Sequence, residues 1–301
     1  TYFYLNEFTD TFQEITDTYG VPGYKEVNSG IFNLVTFPLL YAVMFGDIGH
    51  GGLQLFFGLF LIWFPNTMNN AGMGGMVKAR YLFFMLGLFS TFWGLCYNDF
   101  MSIPVELPHG SCYTTHHGSE GPEVSLMNDC VYPIGFDPKW YQSKNGLTYF
   151  NSLKMKVSVI FGVAQMSLGI WMKGLNNLHF NTYVDFIFEF VPQIIFMLAL
   201  FGYMDLLIIV KWLTPWEGNT AVAPSIISTM IGMFLHSGEL PANTQPLIYN
   251  QSYQEGLHNS LVLVCLICVP IMLLVKPLWF LYSHPSEEHE KKEGHKAILD
   301  D

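Results

Sequence analysis

Charged side chains are scarce in this 301-residue chain, at 12% of the residues against 51% hydrophobic and 16% aromatic. Soluble domains usually carry about 25% charged residues. Long apolar runs contain almost no charge, and the net charge of −11 lies mainly in the loops and the tail. This composition excludes an ordinary soluble domain. It favours an all-α integral membrane protein built as a polytopic helical bundle.

Basic residues are few as well, with 13 lysines and arginines against 24 acidic residues, and the one arginine is Arg80. Because no basic patch exists, we expect no nucleic-acid partner. The sequence also contains no H-E-x-x-H, no G-x-S-x-G and no phosphate-binding G-x-x-x-x-G-K-[ST]. We therefore predict no catalytic residue and no cofactor. The chain is not expected to be an enzyme by itself, and any energy input comes from partners.

The five cysteines divide by their surroundings. Three lie in apolar runs, where a small buried side chain is expected: Cys96, Cys265 and Cys268. Cys112 and Cys130 lie in a long polar loop and could form a disulfide if that loop faces an oxidising lumen. Both the disulfide and two free thiols stay open at this point. Three nearby histidines match no closed zinc pattern with them, so no metal site is predicted: His109, His116 and His117.

A polar interruption divides the first long apolar stretch, residues 31–64. As one straight helix this stretch would be about 51 Å long, against a hydrocarbon core of about 30 Å. Its middle reads Gly46-Asp47-Ile48-Gly49-His50-Gly51-Gly52, and the glycines offer a place to break. We predict a broken, re-entrant helix pair around Asp47–Gly52.

The rest of the chain divides into apolar runs and polar loops. In order, we predict a cytosolic amphipathic lead-in helix at 1–30, a membrane helix at 81–100, a long polar lumenal loop at 101–151, membrane helices at 153–175 and 186–213, a lumenal segment with an interfacial helix at 214–256, a membrane helix at 257–282 and a cytosolic polar tail at 283–301. In the last membrane helix, Lys276 is placed to extend its amine to the membrane interface.

Loop charges set the predicted orientation. The loop at 64–80 holds two basic residues and no acid, and the tail carries three lysines, so both are placed in the cytosol. The 31–64 stretch must then return to its own side, and both ends of the chain lie in the cytosol. Lys154 and Lys156 fall on the lumenal side in this scheme, against the rule.

Ionisable residues at membrane depth usually mark ion pathways. Asp47 and His50 are three residues apart, which is one helical turn, and Glu189 lies in a later span. Two interpretations stay open: Asp47 accepts backbone donors freed at the break while His50 bonds a carbonyl, or the pair handles protons directly. Separately, Asn250 begins a glycosylation sequon in the second lumenal segment, which makes it a glycosylation candidate.

Short motifs between residues 8 and 282 carry a resemblance to a known family. They are Phe12-Gln13-Glu14-Ile15, Asp17-Thr18-Tyr19-Gly20-Val21-Pro22, Val35-Thr36-Phe37-Pro38, Met44-Phe45-Gly46-Asp47-Ile48-Gly49-His50-Gly51, Tyr97-Asn98-Asp99, Tyr132-Pro133-Ile134-Gly135-Phe136-Asp137, Asn151-Ser152-Leu153-Lys154-Met155-Lys156 and Leu274-Val275-Lys276-Pro277-Leu278. In this order they resemble subunit a of the eukaryotic vacuolar-type proton-pumping ATPases.

The resemblance implies a stationary subunit of the membrane sector, beside a rotating proteolipid ring that carries protons. It implies as partners the ring, the other membrane-sector subunits, membrane lipid, and an ATP-hydrolysing cytosolic sector connected through peripheral stalks. It also implies residence in the vacuole or other endomembrane organelles, which the pump acidifies.

Family members have a large cytosolic N-terminal domain and eight membrane helices, of which the last two face the ring and carry an essential arginine. Here the one arginine, Arg80, precedes a span, and nothing after Tyr282 is apolar enough to cross a membrane. We therefore expect a central part of subunit a that acts mainly as a scaffold. The rival interpretations are a self-contained proton-coupled transporter or channel, with the polar candidates as a relay, and a purely structural membrane anchor.

Overall fold

The structure is a computed structural model that describes residues 3–106, 110–118, 121–127, 130–216, 222–236, 238–240 and 244–283. The chain divides into two compact units, residues 1–162 and 163–301. Helices dominate both units, and the sheet in the described part of the chain is a single two-stranded hairpin. The predicted all-α membrane architecture is confirmed.

The first helix, α1 (Glu7–Tyr19), is attached to residues 78–80 of the same unit. The Thr11 hydroxyl donates to the Lys78 carbonyl at 2.9 Å, and the Arg80 guanidinium reaches the Glu7 carboxylate at 2.6 Å. The Glu14 carboxylate hydrogen-bonds the Lys78 amine and raises the pKa of that amine. The one arginine of the chain therefore serves to hold the lead-in helix.

Two apolar helices follow, α2 (Gly30–Met44) and α3 (Ile48–Trp63), with three residues between them. At 15 and 16 residues, each is shorter than the roughly 20 residues that a membrane-crossing helix needs. After the short helices α4 (Pro65–Asn70) and α5 (Gly74–Lys78) comes α6 (Arg80–Tyr97). Helix α6 ends at Asn98, whose φ of 54° is a left-handed conformation that asparagine tolerates at a helix C-terminus.

A β-hairpin lies in the segment between α6 and the next long helix. Strands β1 (Tyr113–Gly118) and β2 (Gly121–Leu126) pair antiparallel, and the hydroxyls of Thr114 and Ser125 are 3.0 Å apart across the pair. This hairpin was not predicted from the sequence, which indicated only a long polar loop.

A disulfide joins Cys112 and Cys130 beside the hairpin, with their Cα atoms 5.5 Å apart. The Asp137 carboxylate also fixes the chain beside this disulfide, because it accepts hydrogen bonds from the Cys112 amide at 2.8 Å and the Ser111 hydroxyl at 2.6 Å. Of the histidines considered with these cysteines, His109 lies outside the described residues.

Three long helices carry the rest of the chain: α7 (Gly146–His179), α8 (Tyr183–Leu213) and α10 (Gln251–Ser283), with the short α9 (Ile226–Leu235) before the last. In the part of the chain that the structure describes, α7, α8 and α10 are the helices long and apolar enough to cross a membrane. All three extend beyond the apolar runs from which spans were predicted, because a helix continues into polar residues until a cap or a breaker ends it.

Irregular turns interrupt two of these helices. Helix α8 contains π-helical segments at Phe186–Phe190 and Leu198–Gly202, where each turn takes up an extra residue. Helix α10 contains Pro270 and Pro277, each of which removes one backbone hydrogen bond. The predicted tail, 283–301, lies outside the described residues except for Ser283.

Candidate functional site

The helix break of the first unit is organised by the Asp47 carboxylate. Asp47 is the N-cap residue of α3, and its Oδ1 accepts hydrogen bonds from the Gly49 amide at 2.8 Å and the Met101 amide at 2.9 Å. The Ile48 amide donates to the Asp99 carbonyl at 2.8 Å. Backbone donors at a helix start have no partner within the helix. Asp47 therefore supplies one, and binds the chain after α6 to the break.

His50 is the more exposed member of this group. Its Nδ1 contacts Oδ2 of Asp47, and the Asp47 side chain is 15% exposed while that of His50 is 57% exposed. The imidazole also packs edge-on against Phe45, with ring centroids 6.2 Å apart. His50 bonds the carboxylate and not a backbone carbonyl, which differs from the structural interpretation drawn from the sequence. The carboxylate is nearer because a spacing of three residues places both side chains on one turn.

Glycines let α3 and α6 approach each other with their backbones. A Cβ atom on Gly51 would lie 2.7 Å from the Thr91 nitrogen, and one on Gly58 would lie 2.6 Å from the Phe84 nitrogen. Real Cβ atoms do not come so close to backbone atoms, so a larger residue would force the helices apart. We call Gly51 and Gly58 on α3, with the facing turns of α6, the glycine contact. Small residues serve the same purpose in membrane helix pairs generally.

Two hydroxyl groups of α6 satisfy carbonyls freed at the end of α2. Ser90 donates to the Phe45 carbonyl at 2.7 Å, and Tyr97 donates to the Val43 carbonyl at 2.8 Å. Both donors are almost fully buried. The last carbonyls of a helix otherwise lack partners, which is costly away from water. Side chains of α6 thus supply partners for two carbonyls at the break.

Lys154, which the charge rule placed on the wrong side, has partners beside the break. Its amine lies 3.6 Å from Asp99 Oδ2 and 4.8 Å from the centre of the Tyr97 ring. Nearby, the Tyr141 hydroxyl donates to the Tyr97 carbonyl at 2.9 Å, and burial raises the pKa of Tyr141 well above its usual value. A positively charged residue with a carboxylate and an aromatic ring does not need a cytosolic location.

Glu189 lies in the second unit, in the first π-helical segment of α8, and binds two lysines. One carboxylate oxygen contacts Lys173 of α7, and the other is 3.2 Å from Lys276 of α10. Lys276 also reaches Asp185 at 3.0 Å. Two positive and two negative side chains thus join three helices, and each is between 28% and 41% exposed. We call these four residues the ion cluster.

The ion cluster was not predicted from the sequence as a unit. Glu189 was considered alone and the Lys276 amine was expected to extend to the interface, whereas two carboxylates hold that amine. The available signal was the spacing of Asp185 and Glu189, four residues apart and hence on one helical face. Their lysine partners come from other helices, which spacing along one helix cannot reveal.

The glycosylation candidate Asn250 and one further carboxylate, Asp205, both lie in the second unit. Asn250 is exposed immediately before α10, and its carbonyl accepts from the Gln254 amide at 3.0 Å. Asp205, within α8, keeps one buried carboxylate oxygen without a hydrogen-bond partner. Among the residues that the structure describes, no group of three His, Cys, Asp or Glu side chains is arranged to hold a metal ion.

Comparison with known proteins finds a family whose sequences match this chain. Residues 1–299 match the V-type ATPase 116kDa subunit family. The chain belongs to this family. The match covers the helix break, the hairpin segment and all three long helices.

Curated relatives within the family agree along almost the whole chain. It is 40% identical to the Vacuolar proton translocating ATPase 100 kDa subunit of Dictyostelium discoideum over 98% of its length. It is 34% identical to the V-type proton ATPase subunit a, vacuolar isoform, of Saccharomyces cerevisiae over 96% of its length. It is 37% identical to the human V-type proton ATPase 116 kDa subunit a 2 over 93% of its length. The chain spans about a third of each relative, at 37%, 34% and 35%.

Proposed function

We propose that this chain is part of the stationary subunit a of a vacuolar-type rotary ATPase, whose membrane sector carries protons past a rotating proteolipid ring. The observation that carries the proposal is the family match along residues 1–299, together with relatives named as subunits of proton-translocating ATPases. A self-contained transporter is not favoured, because those relatives are named as subunits of a larger pump.

Within that pump, we assign this part of the subunit a mainly structural role. The helix break supports this assignment because Asp47 is occupied by two backbone amides and His50. A carboxylate held in this way is poorly available to relay protons, since a change in its protonation would disturb three partners at once. Glu189, bound by two lysines, supports the same role in the second unit. Neither residue acts as a catalyst in this proposal.

The same proposal includes the orientation of the chain in the membrane, its glycosylation and its partners. The chain ends lie in the cytosol, the hairpin segment and Asn250 face the lumen of a vacuole or related organelle, and Asn250 carries a glycan. The partners are the proteolipid ring, the other membrane-sector subunits and lipid, with the ATP-hydrolysing sector reached through peripheral stalks. An exposed sequon at the start of α10 and a disulfide beside the hairpin are compatible with a lumenal, oxidising environment.

Co-purification from native membranes tests the proposal. The protein that contains this chain is tagged, extracted in mild detergent and isolated, and its partners are identified by mass spectrometry. We expect small proteolipid subunits and ATPase subunits in fixed ratio, and ATP-driven acidification after reconstitution. Recovery of the tagged protein alone from an extract in which the pump is intact would refute a stator role.

A further inference from the structure

A buried histidine connects three segments of the second unit. His258 lies in the second turn of α10 and is 1% exposed. Its Nδ1 is 3.0 Å from the Gly238 carbonyl oxygen, and its Nε2 is 2.9 Å from the Tyr203 hydroxyl of α8. Both ring nitrogens are therefore used, and we call His258, Tyr203 and Gly238 the latch.

The partners fix the protonation state that suits the latch. A carbonyl oxygen only accepts, so Nδ1 of His258 must carry a hydrogen and donate it to Gly238. Nε2 is then the unprotonated nitrogen of a neutral imidazole and accepts the hydrogen of the Tyr203 hydroxyl. In this arrangement each polar atom of the ring has a matching partner.

A second proton on the imidazole does not suit this arrangement. Nε2 would become a donor facing the Tyr203 hydroxyl, which would have to turn its own hydrogen elsewhere. The neighbouring Gln254 offers no free acceptor, because its Oε1 already accepts from the amides of Leu247 and Ile248 at 3.0 and 3.3 Å. The charged ring would also be almost completely shielded from water, which is costly for an unpaired charge.

No carboxylate compensates that charge among the described neighbours. The titratable groups beside the latch are Tyr203 on α8, His236 and Glu239 next to Gly238, and Glu255 on α10. In the part of the chain that the structure describes, the hydrogen bonds of the imidazole go to Tyr203 and Gly238, and neither acid contributes one. The Glu255 carboxylate accepts instead from Gln251 at 2.9 Å.

The Gly238 side of the latch fits closely and has little room to adjust. Gly238 has a φ of +83°, and a Cβ atom there would lie 2.9 Å from the Cβ of His258. Its amide donates to the Gly232 carbonyl of α9 at 3.3 Å. Gly238 thus lies in close contact with α10, and the histidine bond is one of the contacts that hold residues 238–240 there.

We propose that His258 is an acid-sensitive latch: protonation of its imidazole releases the segment at 238–240 from α8 and α10. Opening binds a proton that the closed form excludes, so opening is favoured as the pH falls. The physiological meaning rests on the proposed function, in which this face of the protein meets the lumen that the pump acidifies. The latch would then report the lumenal pH to the membrane helices.

Hydrogen exchange on the purified membrane sector tests the latch directly. In detergent, both faces of the protein meet the same buffer, so the result does not depend on orientation. We expect peptides covering 238–240 to exchange about tenfold faster at about pH 5.5 than at about pH 7.5, after correction for intrinsic exchange, because opening takes up a proton. Peptides in the centre of α10 should show no such change.

Substitutions at the latch and beside it provide the controls. In His258→Gln the side chain can still donate to Gly238 and accept from Tyr203 but does not titrate, so exchange should be slow at both pH values. His236→Gln removes an exposed histidine of the same region and should keep the wild-type response. Tyr203→Phe removes the hydroxyl that the neutral ring accepts from, so exchange should rise at neutral pH. An equal acid response in wild type and His258→Gln overturns the latch.

A final arm separates the latch from the proposed function. In sealed vesicles, acid added only on the lumenal side should open the latch, and acid added only on the cytosolic side should not. If only cytosolic acid opens it, the assigned sensing of lumenal pH is wrong although the chain can still be a stator. If the tagged protein fails to co-purify with a pump but the acid response persists, the proposed function fails and the latch stands.

Discussion

Replacing Asp47 by alanine perturbs the helix break most directly. The carboxylate accepts two hydrogen bonds, from the Gly49 amide at 2.8 Å and from the Met101 amide at 2.9 Å, and the Asp47 side chain is only 15% exposed. Hydrogen bonds to charged groups contribute about 1.5–3 kcal/mol each. The bond from Gly49 is also the helix cap, for which alanine substitution typically costs about 1 kcal/mol. We expect Asp47→Ala to lower the free energy of unfolding by about 2–4 kcal/mol.

A loss of this size is a large part of the stability of an ordinary domain, which is about 5–15 kcal/mol. The consequence is expected in assembly, because an unstable break misplaces α2, α3 and the chain after α6 together. The assay compares two quantities in the same membranes: the amount of assembled membrane sector, and proton pumping per assembled complex. Asp47→Ala should reduce the first by several fold and change the second little.

Asp47→Asn is the matched control. An asparagine oxygen in the place of Oδ1 can still accept from both amides, so assembly should stay close to wild type although the charge is gone. If instead both variants assemble normally and neither pumps, the charge of Asp47 itself takes part in proton transfer. That result would refute the structural role argued here.

Three further predictions follow from the packing, the loop and the ion cluster. Gly58→Ala should lower the melting temperature of the purified complex, because its Cβ would lie 2.6 Å from a backbone nitrogen of α6. Gly52→Ala is the control and should not lower it, because the space around its Cβ is open. Equal effects of the two substitutions would show that the glycine contact is not needed. Non-reducing mass analysis should find Cys112 and Cys130 joined, and an unchanged mass on reduction would show that they are free. Glu189→Gln should destabilise the complex by about 1 kcal/mol, because the cluster is partly exposed; a more stable variant would contradict a cohesive role.

The helix break was accessible to reasoning from sequence because two independent signals coincide there. The stretch is too long for one span, and its glycines surround a carboxylate at the middle. In the structure the same stretch holds α2 and α3, with Asp47 at the start of the second helix. The partner Met101 could not be foreseen, since it comes from the chain after α6 and lies 54 residues away.

Contacts between distant segments account for what sequence reasoning missed. The ion cluster draws its lysines from α7 and α10, and the latch joins Tyr203 to a residue 55 positions later. Periodicity reports only which residues share a face of one helix. The hairpin at 113–126 was not predicted for another reason. Its strands are short and polar, and they lack the alternation of apolar residues that predicts a strand.

The most direct test of the central claim is proton flux through this chain alone. Purified and reconstituted in liposomes with a pH gradient, residues 1–301 should conduct no more protons than protein-free liposomes, because a scaffold has no proton path without its rotor. A flux that is abolished by Asp47→Asn or Glu189→Gln would contradict the account, since it would make this chain a transporter in its own right.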